Sequence, residues 1–120
     1  MNYADRLNRS RADFPFSEWK TSLAPRLTTM PAFCDRAKKI LSDLIDELIR
    51  LGEAAPEAEK IGLFKTAVEA LNVLNYEDGI IETTAREELC ELFWGIAVNA
   101  GIDPSKYGNG EGPASEWRDW

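Results

Sequence analysis

The sequence contains no histidine, and this absence removes the residue on which much enzyme chemistry depends. Histidine is the usual general base near neutral pH, the usual partner of a serine or cysteine nucleophile and the commonest zinc ligand. The glycine-rich phosphate loops GxxxxGK[ST] and GxGxxG are missing as well. The sequence therefore argues against triad chemistry, zinc chemistry and nucleotide binding by such loops, and we predict no catalytic residue and no cofactor.

Cysteine is scarce too, because Cys34 and Cys90 are the only two and each falls within a helical pattern. We interpret them as small buried apolar residues in a reducing compartment rather than as a disulfide. No apolar run approaches the roughly 20 residues that cross a bilayer. The first residues also lack the basic start and apolar stretch of a secretory signal. We therefore expect a cytoplasmic protein that does not span a membrane.

Positive charge is in short supply, and it is unevenly distributed. The chain has 14 Lys and Arg against 21 Asp and Glu, a net charge of −7. Residues 1–40 carry +4, whereas residues 41–120 carry −11. An acidic body repels the phosphates of nucleic acid, so a basic protein is the expected partner. The alternative is that the acidity only keeps the domain soluble.

Hydrophobic spacing is the strongest positive signal, and it predicts an all-α fold. Apolar residues recur every three or four positions in three stretches, which predicts helices over about 31–51, 56–75 and 84–100. Thr84 and Glu87 have the spacing of a capping box at the start of the third helix. The short loops favour antiparallel neighbours, and hence an up-down bundle of three long helices.

These helices form the middle of a single helical domain, residues 1–120. Residues 31–101 are its predicted three-helix core. Pro15 and Pro25 interrupt residues 1–30 and Pro31 follows them, so we predict an irregular arm with one short helix capped by Ser17. Residues 102–120 are first glycine-rich and then aromatic, which predicts a loop followed by a tail with a short terminal helix.

Tryptophan is abundant for so short a chain, with four in 120 residues. Three of them lie outside the predicted apolar stripes, and the fourth follows Phe93 on the third helix. One interpretation is that the arm and tail fold back and cover the bundle with these rings. The other is that some of them anchor a partner, since Trp, Tyr and Arg dominate the energetic centres of interfaces. The candidate partner-binding residues are Trp19, Trp94, Trp117, Arg118 and Trp120.

Five acidic residues offer a metal-binding alternative. Glu87, Glu88 and Glu91 have EExxE spacing, and Glu116 and Asp119 have ExxD spacing. On helices each set would share a face, and together they could hold Mg²⁺. The pattern resembles the motif of the all-α nucleoside triphosphate pyrophosphatases, which implies hydrolysis by a metal-activated water. Here the ExxD lies in a tail beyond a glycine-rich loop, not on a long packed helix, so this enzyme is the alternative hypothesis.

The last third of the chain resembles small helical bacterial proteins of unknown function, some of them encoded beside toxins as immunity proteins. The resemblance rests on Ile81-Glu82-Thr83, on Arg86-Glu87-Glu88-Leu89-Cys90 and on the Glu-Trp-Arg-Asp-Trp tail. It implies stoichiometric action, in which an acidic face with aromatic residues covers a basic toxin surface. The leading hypothesis is therefore a non-enzymatic protein-binding module. A homodimer whose helices share a core is a third hypothesis.

Overall fold

Helices account for the regular structure of the protein. The computed structural model describes residues 1–22 and 29–120, and these two ranges contain no β-strand. They contain 3₁₀ turns at Ser10–Asp13, Pro104–Lys106 and Gly108–Gly110. The all-α class predicted from the sequence is confirmed. In chain order, the α-helices are α1 (Tyr3–Arg9), α2 (Phe16–Ser22), α3 (Met30–Leu51), α4 (Glu57–Asp78), α5 (Thr83–Asn99) and α6 (Pro113–Trp117).

The two longest helices, α3 and α4, begin close to the predicted positions. Gly52 closes α3 with a φ of 92°, as its place after the last apolar residue predicts. Pro56 precedes α4, but this helix ends at Asp78 rather than near Asn75. The reason is that Gly79, with a φ of 63°, is the capping residue, and its N–H donates to the carbonyl of Asn75. Residues 76–78 therefore belong to the helix and not to a turn.

The capping box predicted at the start of α5 is wrong. The helix begins one residue before Thr84, so Thr84 already has a helical backbone and cannot adopt the extended conformation of an N-cap. The capping position is held by Glu82, whose side chain makes no capping hydrogen bond. The predicted stop at Gly101 is confirmed: its φ is 80°, and the N–H of Ile102 donates to the carbonyl of Ala97 across 2.9 Å.

The N-terminal arm is helical rather than irregular, which corrects the prediction for residues 1–30 as far as the described residues extend. α1, the Ser10–Asp13 turn and α2 occupy most of residues 1–22. Ser17 lies inside α2 and does not cap it. Pro15 does not interrupt the arm, because it stands directly before α2, where a missing N–H costs no hydrogen bond. The arm contributes to the core through Tyr3, Leu7, Phe16 and Trp19.

Ion pairs show how the arm lies on α3. Chain positions rise along the arm as they fall along α3, so the two segments run antiparallel. Each pair is partly exposed and adds little to stability, so the main effect of the pairs is to set the position of the arm. The pairs are Arg6–Glu53 at 2.7 Å, Arg11–Asp46 at 2.5 Å and Lys20–Asp35 at 2.5 Å.

The long helices contact one another in an order that fits antiparallel neighbours. Arg36, near the start of α3, lies 3.8 Å from Glu77, near the end of α4. Between α4 and α5, the ring centroids of Phe64 and Phe93 are 6.4 Å apart. The complete up-down bundle stays a prediction, because α5 packs mainly against the arm and α6. Across the described ranges, no helix combines the length and the apolarity needed to cross a bilayer.

A buried lysine joins three parts of the fold. Lys60 is 6 % exposed, and its Nζ donates to the carbonyls of Glu53 and Ala100, each at 2.9 Å. The same nitrogen lies 5.0 Å from the ring centroid of Tyr3. Because Ala100 ends α5, the cation sits at the negative end of a helix dipole. Lys60 therefore links α1, the loop after α3 and the end of α5.

The C-terminal tail folds onto α4 and α5, and its predicted short helix is present as α6. Asn72 of α4 donates its amide N–H to the carbonyl of Trp117 at 2.9 Å, and its side-chain oxygen accepts the N–H of Asp119 at 3.1 Å. Nearer the start of the tail, the Tyr107 hydroxyl donates to Glu57 at 2.6 Å. Hydrogen bonds to α4 thus hold the tail at two points.

Candidate functional site: an acidic groove along α5

A groove with a volume of about 470 Å³ runs between the arm and α5. We call it the acidic groove, because four of the residues that line it are carboxylates. In residues 1–22 and 29–120, none of these four is ion-paired with a lysine or arginine. The lining consists of Asp13, Glu18, Glu88 and Glu91 together with Ala12, Phe14, Pro15 and Leu92.

Local structure brings the carboxylates to the groove from two sides. Asp13 ends the 3₁₀ turn of the arm, and Glu18 lies in the first turn of α2. Glu88 and Glu91 are three residues apart on α5 and so lie on one face of that helix. The turn packs against α5, which places the acidic residues of the arm opposite those of α5.

Trp19 supports the acidic groove from inside the core, because it binds Glu88, which lines the groove. Its side chain is 3 % exposed, and its ring meets that of Phe16 edge-on with centroids 5.4 Å apart. The indole Nε1–H donates to a carboxylate oxygen of Glu88 at 2.5 Å, which positions that acid at the groove. Trp19 is therefore a core residue, and its predicted role as a partner anchor is corrected.

A second depression adjoins the acidic groove, because Glu91 lines both. This depression, here called the Trp94 hollow, has a volume of about 330 Å³ and is lined by Cys90, Glu91, Trp94 and Glu111. The Trp94 side chain is 37 % exposed, in contrast to the buried Trp19. Of the tryptophans predicted to contact a partner, Trp94 is the one that the structure places beside the groove with a large exposed fraction.

The remaining predicted partner residues face their own chain. Trp120 is buried, and Trp117 packs partly buried against the core. The guanidinium carbon of Arg118 lies 5.7 Å from the Trp120 ring centroid, and its Nη1 donates to the Trp120 carbonyl at 2.5 Å. The tail aromatics thus cover the bundle, as the first of the two sequence interpretations expects. Their proposed role as partner anchors is corrected for Trp120, whose ring is enclosed.

The structure does not bring together the acidic residues that the magnesium hypothesis requires. Within the described part of the chain, no three acidic or cysteine side chains are grouped so that they could hold a metal ion. Glu116 accepts the N–H of Gly108 at 2.9 Å, and Asp119 accepts the hydroxyl of Tyr76 at 2.8 Å. Glu87 is exposed and Glu88 binds the Trp19 indole, so the EExxE and ExxD residues are not assembled into one site.

The two thiols are not activated nucleophiles. Both cysteines are free, Cys34 buried and Cys90 partly buried. Burial raises the pKa of both thiols above the ordinary value, and the nearby Lys20 and Arg118, respectively, only oppose this effect. A reactive cysteine needs the opposite environment, in which a lowered pKa favours the thiolate. Cys90 therefore contributes a neutral wall to the Trp94 hollow.

Sequence reasoning missed several of these residues. The sequence does not indicate Asp13 or Glu18 as site residues, because an irregular arm leaves the positions of their side chains open, and it does not place Glu111 beside Trp94, because a glycine-rich loop has no regular face. Lys60 did leave a signal, since it stands four residues before Phe64 and so continues the buried stripe of α4. A lysine in an apolar stripe indicates a buried cation with carbonyl partners.

Comparison with known protein families, with curated proteins and with solved structures finds no match for this chain. Function has to be inferred from the acidic groove and the Trp94 hollow themselves.

Proposed function

We propose that this protein is a non-enzymatic binding module that receives a basic segment of another protein in the acidic groove. The observation that carries this proposal is the convergence of four carboxylates on one groove whose lining also includes Phe14, Pro15 and Leu92. Lysine and arginine side chains combine an apolar stem with a cationic head. Such a groove accommodates both parts at once, which neither a purely acidic nor a purely apolar surface does.

The distribution of charge supports the same proposal. Three cations of the arm pair with carboxylates of α3 and of the loop after it, and none of these carboxylates lines the groove. The groove keeps an excess of negative charge among the described residues, although the arm that forms one wall is basic overall. Complementary charge across an interface increases the association rate and selects against acidic partners.

A toxin with a basic functional surface is one partner of this kind. The resemblance to immunity proteins supports such a partner, and in that case the chain would act stoichiometrically by covering the toxin's basic surface. We also propose that it acts in the cytoplasm. The free, partly buried Cys90 supports this location, because a partly exposed thiol persists where the redox poise is reducing.

Peptide binding tests the proposal. The probe is a short fluorescein-labelled peptide of alternating arginine and alanine, followed by fluorescence polarisation. Glu18→Gln combined with Glu91→Gln should weaken binding about fivefold, as expected for the loss of two exposed ion pairs. The matched control, Glu59→Gln with Glu69→Gln on α4, removes the same charge from exposed positions outside the groove. It should change the Kd less than about twofold, by long-range electrostatics alone.

Equal weakening by the two double variants would overturn the proposal, because the peptide would then be responding to net charge rather than to the groove. Magnesium-dependent turnover of a nucleotide that disappears in Glu88→Gln would overturn it as well. Light scattering addresses the homodimer hypothesis in the same samples. A mass of twice 13.5 kDa that falls to the monomer value in the groove variants would make a second copy the occupant.

A further inference from the structure

We infer that the Trp94 hollow binds the guanidinium group of an arginine from the basic segment, with the indole ring as one wall and Glu91 and Glu111 as its anionic partners. The inference rests on the proposed function and adds to it a residue preference. It concerns arginine in particular, whereas the acidic groove by itself accepts either basic side chain.

The position of the Trp94 ring is the first support. Gly112 has a φ of 113°, and a Cβ on this residue would lie only 3.0 Å from Cε3 of the Trp94 ring. Glycine thus allows the tail backbone to pack directly on the benzene part of the indole. The ring is held on that side and is still 37 % exposed, so it is a fixed aromatic surface open to a ligand.

The charges around the ring are the second support. Glu91 lies three residues before Trp94 on α5, and Glu111 comes from the tail next to Gly112, so carboxylates approach the hollow from two elements. Cations of the chain stack on other rings: Arg6 and Lys60 on Tyr3, and Arg118 on Trp120. No such pair involves Trp94 within residues 1–22 and 29–120. The lining of the hollow thus has an aromatic ring and two carboxylates and includes no lysine or arginine of the described residues, although Arg86 and Arg118 lie near Cys90.

The shape of the site favours arginine over lysine. A planar guanidinium can stack on the indole and at the same time donate in its own plane to carboxylates on either side. A lysine ammonium is a compact, strongly hydrated charge and gains less from the ring. With a volume of about 330 Å³, the hollow has room for the whole group. Its shallow position beside the acidic groove would let one extended segment occupy both.

Two peptides of equal charge test the inference. They are the alternating arginine–alanine probe and the same sequence with every arginine replaced by lysine. We expect wild-type protein to bind the arginine peptide about threefold more tightly, as a partly exposed cation–π contact predicts. Trp94→Leu should abolish this preference while leaving the lysine Kd within about twofold. The matched control is Tyr76→Leu, which removes an exposed aromatic ring of α4 outside the hollow and should retain the preference.

The outcomes separate the two proposals. If both peptides bind the wild type equally and Trp94→Leu changes neither Kd, the arginine site is refuted although the acidic groove stands. If neither peptide binds, both proposals fail. Glu111→Gln provides a second variant, because it should reduce the arginine preference without touching the ring. Circular dichroism verifies that each variant is folded, and a preference retained in folded Trp94→Leu overturns the inference.

Discussion

The two sides of the N-terminal arm both carry charged residues, but in different arrangements. On the side facing α3, Arg6, Arg11 and Lys20 meet carboxylates one by one, and apolar side chains fill the space beneath them. On the side facing α5, carboxylates from the arm meet carboxylates from α5 across a groove. Like charges brought together destabilise the contact, and a basic segment bound there, as proposed, would offset this cost.

The tryptophans of the two regions show the same contrast. Trp19 is enclosed by the core and its indole N–H is bonded to Glu88, whereas Trp94 is supported from one side and open on the other. One ring therefore stabilises the fold, and the other is available to a partner. The comparison teaches that an aromatic residue outside a sequence stripe is informative only once its neighbours are known.

Truncating each of the two tryptophans tests this contrast, and it has the largest expected effect on stability. We expect Trp19→Ala to lower the free energy of unfolding by about 3–5 kcal/mol, the usual cost of removing a buried aromatic ring. Trp94→Ala should cost about 1 kcal/mol or less, because more of that ring already contacts water. Urea unfolding monitored by circular dichroism measures both.

Trp19→Phe is the control for a variant that fails to fold. It keeps an aromatic ring in the core and removes only the N–H donor to Glu88, so it should cost about 1–2 kcal/mol. A Trp94→Ala protein as unstable as Trp19→Ala would show that the exposed ring is structural, and the distinction between the two regions would be wrong.

Replacing the buried lysine should have the next largest effect. Lys60→Met keeps the length of the apolar stem but leaves the carbonyls of Glu53 and Ala100 without their donor, at an expected cost of about 2–3 kcal/mol. Lys65→Met is the matched control, since Lys65 is exposed on the same helix, and it should change stability by less than about 0.5 kcal/mol. Similar values for the two variants in urea unfolding would contradict the linking role of Lys60.

The long helices could be predicted from the sequence because their information is local. The stripe of α3 repeats every three to four residues from Phe33 to Leu48, and the structure buries those positions. Gly52 and Gly101 stop their helices for the same local reason, a left-handed conformation that glycine adopts without strain. The error at Thr84 was also local, since two adjacent threonines offered two possible starts for α5.

The acidic groove could not be predicted, because its residues are distant in sequence. Glu18 and Glu88 belong to segments separated by most of the core, and spacing within one helix does not determine which other segment it faces. The same limit applied to Trp19 and Trp94, whose exposure depends on the docked arm and on Gly112, respectively. Composition did indicate an acidic surface. Its position depends on which carboxylates are neutralised by the cations of the arm, and this pairing is not visible in the sequence.

Alkaline pH should weaken the attachment of the tail to α4, with the smallest of the effects considered. Burial and then the hydrogen bond to the Glu57 carboxylate raise the pKa of Tyr107 to about 12, above the ordinary value of 10. A raised pKa means that this contribution to stability is fully present below about pH 10 and is lost as the pH rises towards about 12. At neutral pH, Tyr107→Phe should cost about 1 kcal/mol, the value of one hydrogen bond.

Urea midpoints measured between neutral pH and pH 12 provide the readout. Tyr3 and Tyr76 also have raised pKa values, Tyr3 mainly through burial and Tyr76 mainly through its bond to Asp119, so all three tyrosines contribute to the alkaline loss. In Tyr107→Phe, the urea midpoint should fall less between neutral pH and pH 12 than it does in the wild type. Tyr76→Phe should reduce this fall in the midpoint by a smaller amount, because an exposed hydroxyl gains little from its partner. An alkaline profile unchanged by Tyr107→Phe would mean that the Tyr107–Glu57 bond does not hold the tail on α4.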